Sequence, residues 1–378
     1  MDMELRDEQR ELLETARRVM RAECGPSVVR ELEESSLGFS RDMWKRMAEL
    51  GWLGLPISSD HGGFDLGVLD LVLLNKELGR ALCPSPYLST VVLGAGAIAA
   101  AGTEEQKAEY LPHVVEGDTV IGFAFQEADR YYDYRSVETT AVSSDAGWVL
   151  KGTKVFVEFA DAADLLVVVA RTGPTPALSE GLTMFLVDPK TPNLRLRHLP
   201  TMARDRQFEV SLENVIVPNE ATLGTVGEAW TVLEKIIQQA ALVFCGYLCG
   251  AAEQMHELAT QYPKDRIQFG RPIGSFQLIQ SYLAQLIMEI WGAETLTYFA
   301  AWTLDQGRPS RALVAKTKAF VGDTLKRTTD VGSQVFGGMG YVEDVDSTLY
   351  LRRGKQYQLS FGDTAYWEGI VAEELLDA

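Results

Sequence analysis

The apolar residues of the first stretch, 1–118, recur at helical spacing. Leu5, Leu12, Leu13, Ala16, Val19 and Met20 fall on one face of a predicted helix. Ser40 is placed to cap a second helix carrying Met43, Trp44, Met47 and Leu50, which Gly51-Trp-Leu-Gly-Leu-Pro56 closes. Asp60-His-Gly-Gly63 reads as a turn. Leu69 to Ala81 is apolar nearly all round, which predicts a helix buried between others, broken by Cys83-Pro-Ser-Pro86. Thr103-Glu-Glu-Gln106 is a capping box that starts another helix.

Near Thr119 the pattern changes. Val120–Phe125, Trp148–Leu150, Leu165–Ala170, Met184–Val187 and Phe208–Leu212 are short, β-branched or aromatic, and bounded by Gly, Asp or Pro. Gly173-Pro-Thr-Pro176 reads as a loop. These strands predict a small β-barrel or sandwich over 119–225. After Pro218 and Gly227 the helical period returns. One long pattern runs from Trp230 to Tyr262 and another from Phe276 to Asp305, so residues 226–378 predict a helical bundle with apolar residues on more than one face. The expected class is α+β, with helical, β and helical domains in that order. The sequence contains no internal repeat and no low-complexity tract.

Composition narrows the partners. Among 378 residues, 53 Asp and Glu against 35 Lys and Arg give a net charge of −18. That balance argues against nucleic acid and against an anionic membrane surface. An anionic ligand would need local arginines or helix N-termini. Met1 to Arg10 is charged and helical in pattern, without a signal-peptide core, and no stretch reads as a bilayer span. The expected location is cytoplasmic. Cys24, Cys83, Cys245 and Cys249 lack metal-ligand spacing and read as small buried residues. His61, His113, His198 and His256 form no ligand set, so no metal site is expected.

The break between the two long helical patterns carries the candidate chemistry. It reads Arg266-Ile-Gln-Phe-Gly-Arg-Pro-Ile-Gly-Ser-Phe-Gln277. Gly270 and Gly274 permit unusual backbone angles or close approach, and Pro272 holds off the next helix. Arg266 sets a planar, permanently charged fork at a helix end, a geometry suited to a pyrophosphate. Alone, this stretch reads first as a helix C-cap with a solvated arginine and an ordinary turn. A second glycine-rich stretch, Gln334-Val-Phe-Gly-Gly-Met-Gly-Tyr341, ends a later helical run.

Together the two stretches resemble the acyl-CoA dehydrogenase family, and the likeness extends over essentially the whole chain. The resemblance implies FAD as cofactor. It also implies that Arg266, Phe269, Gln277, Gln334 and Gly338 contact the ADP half of an FAD bound mainly by a neighbouring subunit. The implied substrate is an acyl-CoA thioester, dehydrogenated between its α and β carbons. A carboxylate takes the proton and the flavin the hydride, and an electron-transfer flavoprotein is the general acceptor.

Against that family pattern the chain departs at its own reaction centre. Most relatives carry the base in a Tyr-Glu-Gly-Thr run. The matching segment here is Leu359-Ser-Phe-Gly-Asp-Thr364, with Phe361 at the glutamate position. The alternative family position, within Gln238-Gln-Ala-Ala-Leu242, also lacks a carboxylate. Asp363 is two residues displaced, and its plain role is to cap the helix that begins near Thr364. Where relatives have Trp-x-Thr beside the flavin, this chain has Phe156-Val-Glu158. Phe156 keeps the aromatic, and Glu158 would repel a reduced flavin if it faced inward. Where relatives have Thr-Glu-Pro and a small turn for CoA, it has Phe123-Ala-Phe-Gln-Glu127 and Ala128-Asp-Arg-Tyr-Tyr-Asp133.

The matches thus lie in segments given to a neighbour's FAD and the departures in the chain's own centre. Three readings follow. The first is a partner subunit in a hetero-oligomer, as in members acting on steroid side chains or on pimeloyl-CoA. Pro86-Tyr-Leu-Ser-Thr-Val-Val-Leu93 and Arg135-Ser-Val-Glu-Thr-Thr-Ala141 look most like the small subunits of that group. The second is a homo-oligomer with Asp363 or Glu158 as a relocated base. The third is a scaffold with no enzymatic role.

Overall fold

The computed structural model describes residues 4–128, 132–173, 179–308 and 310–376. Residues 1–3 of the N-terminal pattern, 129–131 of the turn after Glu127 and 174–176 of the Gly173 loop lie outside that set. The order is helical, β, helical. First come α1 (Asp7–Glu23), α2 (Pro26–Glu34), α3 (Arg41–Glu49), α4 (Val68–Arg80), α5 (Gly96–Ala101) and α6 (Glu104–Val115). The strands are β1 (Ile121–Ala124), β2 (Thr140–Ser144), β3 (Gly147–Glu158), β4 (Leu165–Arg171), β5 (Leu182–Val187), β6 (Leu194–Leu199), β7 (Gln207–Val217) and β8 (Thr222–Leu223). Then follow α7 (Trp230–Asp265), the hairpin β9 (Ile267–Gln268) and β10 (Arg271–Pro272), α8 (Gln277–Asp305), α9 (Arg311–Phe336), α10 (Asp346–Tyr357) and α11 (Thr364–Leu376).

The caps act as the sequence predicts. The Ser40 hydroxyl accepts from the Met43 amide at 3.1 Å. Thr103 and Gln106 close a reciprocal box at 3.0 and 3.2 Å.

By packing, the chain forms two compact units. One comprises Met1–Glu31, Gly67–Cys83 and Ala241–Ala378, and the other Leu32–Leu66 and Pro84–Ala240. In the first, α4 and α7 touch backbone to backbone. A Cβ on Gly79 would lie 1.9 Å from the Tyr247 carbonyl oxygen. One on Gly250 would lie 1.8 Å from that of Lys76, and one on Gly246 2.5 Å from that of Val72. Only glycine permits this approach from both sides.

The α4 reading needs correction. The helix is buried along nearly its whole length, yet Asp70, Asn75, Lys76, Glu77 and Arg80 are buried with its leucines. They are paired rather than displaced to the surface. Arg17 of α1 forks onto Glu77 at 2.8 and 3.1 Å. Lys76 meets Glu294 of α8 at 2.6 Å and Glu253 of α7 at 3.3 Å. Arg80 joins Glu253 at 3.1 Å and also pairs with Glu257. Asp305, at the end of α8, accepts from the Val68 and Leu69 amides at 2.6 and 3.1 Å and so caps α4.

The membrane reading also needs correction. α7 is long and apolar enough to cross a bilayer, with a mean hydropathy of 1.3 in its most apolar window. That window is 72% buried inside the protein, as expected of a core helix.

In the second unit the strands form one eight-stranded mixed sheet in the order β6-β7-β3-β2-β4-β5-β8, with β1 parallel to β4. Its core includes Leu150, Val157, Leu166, Val168, Phe185, Val210 and Leu212. Three strands had escaped the sequence reading: β2, β6 and the two-residue β8. β6, Leu-Arg-Leu-Arg-His-Leu, alternates half-buried and exposed positions, and β2 is mostly exposed. β3 and β7 extend well beyond their predicted cores and pair with each other, with a register shift between Lys154 and Val157.

The glycine crossing has a direct test. Gly250→Ala sets a methyl against the Lys76 carbonyl and should destabilise the protein by about 3 kcal/mol. Thermal unfolding checks this, and Gly96→Ala, where a Cβ meets nothing within 4 Å, is the control.

Candidate functional site

The two glycine-rich stretches meet at one end of the helical bundle. Tyr262, in the last turn of α7, stacks on Phe336, the last residue of α9, with ring centroids 4.4 Å apart. A Cβ on Gly332 would lie 2.5 Å from the Met255 side chain, so α7 and α9 also approach closely there. Gly340 must be glycine, because a Cβ would sit 2.5 Å from the Ser333 carbonyl oxygen.

Arg266 is the first residue beyond α7. Its carbonyl accepts from the Ile273 amide at 2.9 Å and closes the hairpin β9–β10. The turn is Phe269-Gly270, with φ of +53° and +76°. Two successive left-handed residues match the strand twist in a tight hairpin, and the second favours glycine. The turn holds Phe269 91% exposed. Arg271 lies over the Phe276 ring at 4.2 Å. Gln277 opens α8 and is exposed, as are Gln334 and Gly338.

The Arg266 side chain makes no hydrogen bond or ion pair among the described residues, although the chain carries a surplus of carboxylates. Gly337 and Gly338 have open space where a Cβ would stand. An unneutralised guanidinium, a bare glycine backbone, exposed amides and an exposed ring share one end of the bundle. These residues fit the phosphate and adenine parts of a dinucleotide.

The segment around Phe361 lies in the same unit. Phe361 has φ +59°, a left-handed conformation uncommon for a bulky residue. Its ring packs edge-on to Phe244 at 5.8 Å, and Phe244 contacts Tyr247 and Tyr357. The Phe361 carbonyl accepts from Trp367 Nε1 at 3.0 Å. Buried Lys318 of α9 clasps this loop from below, donating to the Gln358 and Gly362 carbonyls, each at 3.0 Å. Burial pulls the Lys318 ammonium down to about 8, against the pull of Cys245, Asp363 and Asp323. Asp363 accepts from the Tyr366 amide at 2.8 Å and caps α11. An aromatic cluster, not a free carboxylate, occupies this position.

In the β domain, Phe156 sits at the register shift of β3 with φ +55° and is 53% exposed. Glu158 ends the strand opposite Gln207. The Gln207 amide donates to Asp205 at 3.0 Å and to Glu158 at 3.4 Å, bridging two carboxyl groups. Burial, with Asp205 adding to it, raises the Glu158 carboxyl to about 7.

Beneath the Gln126–Glu127 turn, Lys154 is fully buried and meets Glu127 at 2.7 Å. Glu127 also accepts from the Glu138 and Thr139 amides and the Thr139 hydroxyl, at 2.7, 2.9 and 2.6 Å. Burial pulls Lys154 down to about 8. It pushes Glu127 up, but the Lys154 ammonium outweighs this and leaves Glu127 below its usual value. Neither Lys154 nor Lys318 was singled out from the sequence. For Lys318 a signal existed: it falls at helical spacing with the buried Val314, Val321 and Leu325, where a lysine is out of place.

Profiles of the acyl-CoA dehydrogenase N-terminal, middle and C-terminal domains match residues 6–118, 122–215 and 227–376. Acryloyl-CoA reductase (NADH) of Anaerotignum propionicum is 30% identical over 100% of this chain and 96% of its own. The butyryl-CoA dehydrogenase structure from Megasphaera elsdenii superposes with a TM-score of 0.91 at 28% identity, covering all of both chains. A chain of the ChsE4-ChsE5 complex from Mycobacterium tuberculosis gives 0.91 at 26%, again over all of both chains.

Glu158 yields a pH test. Its folded value lies above that of the unfolded chain, so the folded state binds the extra proton between about 4.5 and 7. Stability therefore falls as pH rises through that window. In denaturant titrations from pH 5 to 8, Glu158→Gln should remove on the order of 1–3 kcal/mol of that decline.

Proposed function

Because the chain belongs to the acyl-CoA dehydrogenase family, whose members oxidise CH–CH bonds, we propose that it serves as the subunit of a hetero-oligomer that completes a sister chain's FAD site. The observation that carries this reading is the contrast within the chain. The Arg266–Gln334 end is built, exposed and unneutralised, whereas Phe361 and its aromatic neighbours stand where a base is needed. Phe269, held in solvent by a strained turn, belongs under another surface. The likeness to a chain of the ChsE4-ChsE5 complex supports the same kind of assembly.

In this reading Arg266 offsets the pyrophosphate charge, the backbone at Gly337 and Gly338 admits the phosphates, and Phe269, Gln277 and Gln334 hold the remainder of the ADP half. Bound FAD supplies the hydride acceptor, and the proton goes to a carboxylate of the sister chain. The substrate class is an acyl-CoA thioester, with an electron-transfer flavoprotein as acceptor. The three domains divide at 118/119 and 225/226, and the enzyme acts in the cytoplasm.

A second reading has one observation in its favour. A carboxyl raised to about 7 is poised to exchange a proton near neutral pH, so Glu158 serves as the base of a homo-oligomer.

The test uses this chain alone and together with a sister acyl-CoA dehydrogenase chain. The chain alone should show no acyl-CoA turnover, and the pair should. Arg266→Ala in the pair should weaken FAD retention by about tenfold or more, the loss of one charge-assisted contact. Turnover by the chain alone that Glu158→Gln abolishes would install the second reading instead.

A further inference from the structure

We propose that the cavity walled by α1, α2, α4, α7 and α10 binds a small phosphate-class oxyanion, held by Arg21, Arg80 and the open N-terminus of α2. Its residues are not those of the Arg266 end, and the proposal does not rest on the reading of that end.

The cavity lies within the helical unit. It has a volume of about 210 Å³, and Arg17, Arg21, Gly25, Glu77, Arg80 and Asp346 are among its lining residues. That is smaller than the roughly 300–1,000 Å³ of pockets for drug-sized ligands, and it suits a small ion with some of its water. Arg21, in the last turn of α1, is exposed, so the cavity opens to solvent.

Arg80 points to a ligand. Its side chain is only 5% exposed, yet its Nε and Nη1 have no hydrogen-bond partner. Nη2 donates to Glu257, and Nη1 lies 3.1 Å from Glu253 without the geometry of a hydrogen bond. The Tyr350 hydroxyl donates to the Arg80 carbonyl at 2.6 Å and holds this residue in place. A buried donor left unmade is costly, and an acceptor in the cavity would relieve it. Arg21 makes no hydrogen bond or ion pair among the described residues, in a chain of net charge −18. The carboxylates on the wall are already taken. Arg17 forks onto Glu77 through Nε and Nη2 at 3.1 and 2.8 Å, and Arg30 holds Asp346 at 2.9 Å.

The start of α2 supplies the third side. Gly25 and Pro26 stand on the wall where this nine-residue helix begins. Gly25 has no side chain to cap the helix, and its first turn holds no acidic residue. The Val29 amide donates to the Gly25 carbonyl at 3.1 Å, whereas the Ser27 and Val28 amides find no acceptor among the described residues. A helix start with free amides and no carboxylate of its own favours an anion. The donors therefore come from three elements: Arg21 from α1, Arg80 from α4 and the amides of α2. A tetrahedral phosphate presents oxygens in all three directions, and its negative charge suits the guanidinium forks. A planar carboxylate would satisfy one fork only.

The test titrates inorganic phosphate into the full-length protein by calorimetry, against sodium chloride at matched ionic strength. One phosphate per chain is expected. Arg21→Gln should weaken it by about tenfold or more, the loss of one charge-assisted contact. Ser27→Glu is the second variant. A carboxylate in the first turn suits the helix dipole, so this variant should unfold no lower than wild type without phosphate, yet repel the anion. Phosphate should raise the unfolding temperature of wild type and not that of Ser27→Glu. Arg266→Ala should leave the phosphate affinity unchanged, which separates this cavity from the Arg266 end. No heat beyond the chloride control would overturn the proposal. So would one-site binding that Arg21→Gln and Ser27→Glu leave intact, or that Arg266→Ala alone removes.

Discussion

The approach of α4 to α7 through Gly79, Gly246 and Gly250 constrains the rest of the helical unit. It brings two backbones so close that no side chain separates them. The charged groups on α4 are then trapped, and each must find a partner on α1, α7 or α8. Arg17, Glu253, Glu257 and Glu294 supply those partners. Removing one partner would leave a buried charge uncompensated, so the network penalises every register of these helices but one.

Function follows from where that register leaves the helix ends. α7 is held along its length by α4, and its last turn stacks on the end of α9 through Tyr262 and Phe336. The Arg266 hairpin and the Gly337–Gly338 turn are thereby presented together, although 70 residues of sequence separate them. The same α9 carries Lys318, which holds the Phe361 loop through two carbonyls. One helix thus positions both the Gly337–Gly338 turn and the Phe361 segment.

Much of this was legible in the sequence, for identifiable reasons. Helical period marked α7 and α8 to within a few residues, and the capping residues Ser40 and Thr103 do what their chemistry suggests. The stretches at Arg266 and Gln334 were legible through their joint resemblance to the acyl-CoA dehydrogenase family, since either alone is a weak signal. The ionic interior of α4 was not legible: its leucines dominate the pattern, and pairing partners lie 60 to over 200 residues away. β2 and β6 were missed because exposed or half-buried strands have weak apolar periods. The bridge from Glu158 through Gln207 to Asp205 is a product of tertiary packing and has no local signature.

The central claim is that this chain lends half of an FAD site and lacks a base of its own. The most direct measurement is FAD content per polypeptide, from absorbance and released flavin, for the chain alone and for its complex with a sister acyl-CoA dehydrogenase chain. The account expects a colourless single chain and one FAD per pair in the complex. A single chain that purifies yellow with one FAD per polypeptide would contradict it.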